Sequence, residues 1–288
     1  MRDILADLPQ TIECLNHGHV TLVDCMPRLV PDDQTADAAI VQAARVSYGE
    51  GTKSISEDRT LIRYLMRRSH TTPLEMVEFK FHCKMPIFVA RQWIRHRTAS
   101  VNEVSARYSE VKDEFYMPQV DSVCAQDKLN KQGREAEPLD TVAVYDFQED
   151  CAGAAKDTYG AYRRNLHDGI ARELARINLP LTLYTEWYWK IDLHNLLHFL
   201  ALRCDSHAQY EIRVFADAML QLITPIVPLT IEAWNDYHPM RGGMRLSRLE
   251  VEALTKLPVH TDPDIDSDNK REQAEWKQKL QKIAGPMR

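Results

Sequence analysis

The sequence of 288 residues predicts a single α+β domain, with a mixed or antiparallel sheet flanked by helices. Three observations lead there. Two short segments alternate apolar and polar residues, several longer segments repeat apolar residues at helical spacing, and neither an internal repeat nor a linker divides the chain.

The first helix is expected over Ser54 to Ser69, where Ser54 and Glu57 stand at capping-box spacing and Leu61, Ile62, Leu65 and Met66 form one face. Pro73 bars its continuation. Val77, Phe79, Phe81 and Cys83 then alternate with Glu78, Lys80 and His82 as in a half-buried strand. Pro86 opens another helix, with Ile87, Ala90 and Ile94 on one side. From Pro118 to Asp150 periodicity is lost, and Gly133 and Pro138 interrupt a polar run that reads as a long loop with one short helix at most. Helical spacing resumes near Cys151. "LTLYTEWYWKI" reads as a second strand, and "LHNLLHFLALR" returns to helical spacing through Leu193, Leu196, Leu197 and Leu200. The tail after Arg241 is charged, reads as peripheral, and is expected to be helical from Asn269.

Composition excludes several classes. With 44% hydrophobic and 27% charged residues the chain is ordinary globular material. Lys+Arg 36 against Asp+Glu 42 gives a net charge of -6, which argues against a surface built for long nucleic-acid tracts or anionic membranes. No apolar run approaches the roughly 18 residues of a spanning helix. The start "MRDILADLPQ" has acids where a signal peptide needs an apolar stretch, so a cytoplasmic protein is expected. The six cysteines are scattered without zinc-like pairing, as buried free thiols would be.

Positive charge is local. Arg91, Arg95, Arg97 and Arg107 fall within seventeen residues that contain one carboxylate, Glu103. Gln92 and Arg95, three apart on the helix, are neighbours. Two readings compete. The cluster is a solvated helix end opposing the helix dipole, or a pocket in which guanidinium forks hold phosphate while Ser100, Asn102 and Ser105 complete the shell. Asn102 and Glu103 favour a nucleotide over inorganic phosphate, because they suit a sugar hydroxyl or a base. No glycine-rich phosphate loop accompanies them, so side chains must do the holding.

A second constellation is His194 and His198, four apart on one helix face. That is the spacing of a zinc pair, but the position after the first histidine is Asn195 where H-E-x-x-H needs Glu. Core histidines and cofactor contacts are the other readings. A hydrolase using His194, His198 and Asp205 would bind metal, and a basic-helix module using "RQWIRHR" would bind nucleic acid with steep salt dependence. No metal site is expected.

The stretch "RHRTASVNEVSARY", Arg95 to Tyr108, resembles the R-H-R-x-x-S-x-N-E-x-S-x-R-Y signature of flavin-dependent thymidylate synthase at all nine specified positions. "HTTPLE", "ARINLPLTLYT" and "LLHFLALRCDSHAQYEIR" agree with it, so the resemblance spans about residues 43–232 and leaves 241–288 as a charged tail. It implies an enzyme that converts dUMP to dTMP, with methylenetetrahydrofolate as carbon donor and FAD, reduced by NADPH, as hydride source. It implies a homotetramer with shared active sites.

By position, the resemblance implies that Gln92, Arg95, Glu103, Ser105, Ala106, Arg107, Arg176 and Arg203 meet dUMP. Thr72, Arg95, His96, Arg97, Glu103, Asp192, Leu193, His194 and His198 would meet FAD. Arg203 occupies the position that polarises the uracil ring, and no cysteine is expected to be essential. The chain departs from the family at Asp192 and His194, where Asn and Arg are common. A carboxylate would repel a diphosphate, so Asp192 is expected near ribose or adenine, or as wall.

Overall fold

The fold is that of a computed structural model, which describes residues 1–6, 10–46, 55–128, 133–239, 241, 245–254, 265 and 267–284. Strands β1 (Arg2–Asp3) and β4 (Leu29–Val30) make a small antiparallel pair. Between them β2 (Thr11–Cys14) and β3 (Gly18–Met26) form a hairpin at one edge of the main sheet. Gly18 is required there, since a Cβ would stand 2.6 Å from the Cys14 carbonyl oxygen and 2.8 Å from that of Lys84. Helices α1 (Asp37–Arg45) and α2 (Ile55–Arg67) follow, and the Ser54 cap expected for α2 lies outside the described residues.

β5 (Glu78–Pro86) leads without a break into α3 (Ile87–Trp93), and β6 (Ser100–Glu103) follows. A hairpin of β7 (Cys124–Gln126) and β8 (Arg134–Pro138) precedes α4 (Thr141–His167) and the short α5 (Arg172–Ala175). β9 (Tyr184–Asp192) runs into α6 (Leu193–Arg203), then come α7 (Tyr210–Ile223), α8 (Pro228–Tyr237), α9 (Arg248–Leu254) and α10 (Lys270–Ala284). The main sheet has five strands, all antiparallel, in the order β2-β3-β5-β9-β6. No helix among the described residues is long and apolar enough to cross a membrane.

Both strands expected from alternation are central in this sheet. Phe79, Phe81 and Cys83 of β5 are fully buried, and Phe81 and Cys83 pair with Trp189 and Trp187 of β9. Trp93, at the end of α3, packs edge-on against Trp187 and Trp189 at 5.4 and 5.3 Å and stacks on Phe199 of α6 at 5.1 Å. Aromatic pairs of this geometry add about 0.5–1.5 kcal/mol each beyond area burial. The cluster therefore fixes the end of α3 against the middle of α6.

Two expectations are corrected. The buried side of α3 is Val89, Ala90 and Trp93, while Ile94 is exposed, because the sheet meets α3 on its tryptophan side. Residues 118–150 are not one loop: they contain the β7–β8 hairpin, and α4 begins at Thr141, where the Asp140 carboxylate accepts from the N–H groups of Val142 and Ala143.

Candidate active site

The polar end of α3, the start of β6 and the polar side of α6 meet beside the aromatic cluster. Asp192 starts α6: its Oδ1 accepts from Asn195 N at 2.9 Å and its Oδ2 from Asn195 Nδ2 at 2.7 Å. This carboxylate caps the helix, with each oxygen accepting one hydrogen bond from Asn195. The side chain of Leu193 is fully buried in the core, and its N–H donates to Val77 O at 2.8 Å.

One turn apart, His194 and His198 reach a cavity of about 370 Å³. Its other walls include Arg67 at the end of α2, His70 and Thr71 after it, and Trp234, Tyr237 and His238 at the end of α8. Thr72 opens the turn that follows Thr71 and is exposed. α8 is held in place by Asp37 of α1, whose carboxylate is 2% exposed and accepts from the N–H groups of Leu229 and Thr230. Burial, with Arg245 next, holds the His238 imidazole below its ordinary pKa, so a neutral ring lines this wall. No group of three or more metal-ligating side chains exists among the described residues.

His96, just past α3, stands with its ring 6.1 Å from that of His198 and edge-on to Phe199 at 4.9 Å. Arg203 Nε donates to His96 Nε2 at 3.2 Å. Burial, with Arg203 and then His198 adding to it, holds the His96 pKa down to about 4. His96 is thus a neutral acceptor for a half-buried guanidinium. From His194 to Arg203 the helix climbs about 13 Å. Past Arg203 the chain turns, and Ser206, His207 and Gln209 line a larger cavity of about 670 Å³ with Arg134, Tyr210 and Arg213. Gln209 accepts from Gln92 Nε2 at its edge.

The remaining predicted residues lie around this region on the outer strand β6 and the turns near it. Glu103 Oε1 accepts from Thr185 Oγ1 of β9 at 2.6 Å. Ser105 and Ala106 are half-buried, and Ser105 Oγ accepts from Arg107 N at 3.4 Å. Arg107 pairs with Glu173 of α5 at 3.3 Å, which ties it to the turn carrying Arg176. Arg95, Arg97 and Arg176 are exposed, and their guanidinium groups have no carboxylate partner among the described residues. Sequence reasoning missed His70, Trp234, Tyr237, His238 and Gln209 as site residues. His70 stands in the quoted "HTTPLE", while the α8 residues carry no local signal.

The donor set fits a flavin: aromatic and imidazole walls for a ring system, and uncommitted guanidinium groups for an anionic arm.

The comparisons with known proteins agree. Residues 28–229 match the family model described as thymidylate synthase complementing protein. The flavin-dependent thymidylate synthase of Dictyostelium discoideum is 54% identical over 264 residues, 92% of this chain and 84% of that protein. That of Gluconobacter oxydans (strain 621H) is 55% identical over 228 residues, 78% of this chain and 72% of that one. The crystal structure of the UMP/dUMP methylase PolB from Streptomyces cacaoi, bound with 5-Br dUMP, aligns with a TM-score of 0.68 at 34% identity, covering 78% of this chain and 98% of that one. With the family model covering most of its length and relatives above half identity across it, this chain belongs to the flavin-dependent thymidylate synthases.

Proposed function

We propose that this enzyme methylates dUMP to dTMP with methylenetetrahydrofolate as carbon donor and FAD, reduced by NADPH, as cofactor, and that Arg203 polarises the uracil. The observation that carries this reading is the Arg203–His96 contact, set along α6 between the histidine-lined cavity and the Gln92–Gln209 pair. Bound FAD supplies hydride chemistry that no side chain offers. Thr72, His96, Arg97, His194 and His198 hold it, and Arg95 and Glu103 are shared between cofactor and nucleotide. Gln92, Ser105, Ala106, Arg107 and Arg176 hold dUMP. A guanidinium never serves as base here, but its fixed charge stabilises negative charge developing on the uracil ring, most strongly where water is excluded. His96 keeps that charge aimed without competing for it, being neutral.

The phosphate-binding guanidinium groups lie on turns flanking the outer strand β6 and following α5, which supports a site completed by further copies in a homotetramer. Val142 (68%), Tyr145 (56%), Leu174 (59%) and Ile177 (69%) are exposed apolar groups on α4, α5 and the turn after it, consistent with such contacts. The test is release of the C5 hydrogen from labelled dUMP by purified enzyme. Release that requires both methylenetetrahydrofolate and NADPH, and that Arg203→Ala abolishes while dUMP still binds, is expected. Release without NADPH refutes the reading.

A further inference from the structure

The C-terminal helix α10 lies outside the matched family region and closes a charge network against the flavin cavity. Arg59, Arg63 and Arg67 stand four apart on α2, with Arg68 beside them, an arrangement that repels itself unless carboxylates intervene. α8 supplies two: Arg63 Nη1 meets Glu232 at 2.9 Å and Asp236 at 2.6 Å, and Arg59 Nη2 meets Glu232 at 2.6 Å. α10 supplies the other two. Glu272, 3% exposed in its side chain, accepts from Arg63 Nε at 2.9 Å, Arg67 Nη1 at 2.9 Å and Ser267 Oγ at 2.8 Å. Glu275 accepts from Arg67 Nε at 2.8 Å and Arg68 Nη2 at 3.0 Å.

Arg67 is the member that matters to the cavity. It lines that space together with Tyr237, and its side chain is only 7% exposed. Both Arg63 and Arg67 lie over the Tyr237 ring, at 4.9 and 5.6 Å, and Arg63 Nη2 donates to the Tyr237 hydroxyl at 2.8 Å. Two walls of the cavity are therefore braced from behind by α10. A buried guanidinium that loses its carboxylates must find another anion or leave the site, and either movement alters the wall.

We infer that Glu272 and Glu275 are positioning residues for flavin binding, acting through Arg67 and Tyr237, so that α10 and the cofactor stabilise one another. This rests on the assignment of the histidine-lined cavity to FAD. Because coupling is reciprocal, FAD must also protect α10.

The test uses the full chain carrying Glu272→Gln and Glu275→Gln together, with His198→Ala as the cavity control. FAD affinity is read by fluorescence quenching, the folding of each apoprotein by circular dichroism, and amide exchange across 270–284 with and without FAD. We expect the double variant to bind FAD about tenfold more weakly, the loss of one charge-assisted contact's worth of wall geometry, and FAD to slow exchange in α10 of the unaltered chain. Unchanged affinity in the double variant, with His198→Ala weakened, overturns the clamp alone. Unchanged affinity in both overturns the cavity assignment and the clamp with it. Should the double variant fail to fold, exchange in the unaltered chain decides: no FAD-dependent protection of α10 refutes the inference.

Discussion

Arg203 gives its Nε–H to Nε2 of His96 at 3.2 Å, so the imidazole carries its own proton on Nδ1 and the guanidinium keeps its Nη groups for another partner. The contact joins the end of α6 to the end of α3, two elements held together by Trp93 and Phe199. Replacing Arg203 with Ala should lower kcat about 10²- to 10³-fold, as for other preorganised charge stabilisers, and change KM for dUMP less than about tenfold. Steady-state kinetics over dUMP concentration separate the two. Equal losses in both would mean that Arg203 only binds.

Arg107 and Arg176 should behave in the opposite way. Arg107→Ala and Arg176→Ala are expected to raise KM for dUMP about 10- to 100-fold, the worth of one charge-assisted contact each, with kcat nearly kept. Glu173→Ala releases Arg107 from a pair in which both side chains are more than half exposed, at 57% and 55%. It should lower KM and change stability by no more than about 1 kcal/mol. A higher KM in that variant would contradict the role given to Arg107.

No thiol should be needed. All six cysteines are free, and burial pushes Cys14, Cys25 and Cys204 up to about 12 and raises Cys83 and Cys151. Thiols held so high are not nucleophiles at neutral pH. Each Cys→Ser or Cys→Ala variant that folds and binds flavin should keep activity within about threefold, allowing for packing losses. A folded, flavin-bound variant without activity refutes this, Cys204 being the most informative because it follows Arg203.

Acid should weaken the fold in two steps. His96 has its pKa lowered from 6.5 to about 4, so the unfolded chain takes up a proton first and stability falls as pH drops from 6.5 toward 4. The carboxylate of Glu272 is held down to about 2 against 4.5, mainly by Arg63 overcoming burial, so its contribution is present above 4.5 and is lost as pH falls from there to 2. Urea unfolding followed across pH checks both. His96→Gln should flatten the upper step and Glu272→Gln the lower. An upper step unchanged in His96→Gln contradicts the first assignment.

Much of this was legible in the sequence, for identifiable reasons. β5 and β9 bury one face each, so Phe79, Phe81, Trp187 and Trp189 fall at alternate positions. α6 was legible because its leucines fill the core while His194, His198 and Arg203 stay on the polar side. α4 was not: in 27 residues it buries only Val144, Ala155 and Tyr162, too few to leave a periodic trace before Cys151. The β7–β8 strands are three and five residues long, below the length at which alternation speaks. The capping role of Asp192 was not legible, because a cap and a ligand call for the same residue type at the same place. The cavity wall of Trp234, Tyr237 and His238 comes from a distant helix, so only tertiary structure brings it to His198.

The most direct measurement of the central claim is the visible spectrum of the purified protein reconstituted with FAD and titrated with NADPH, with and without dUMP. Flavin absorbance that is retained on gel filtration, bleaches with NADPH, and is lost or weakened in His198→Ala is the expected result. A protein that takes up no flavin even with dUMP present, or whose bound flavin is indifferent to His198→Ala and to Arg97→Ala, would contradict the site described.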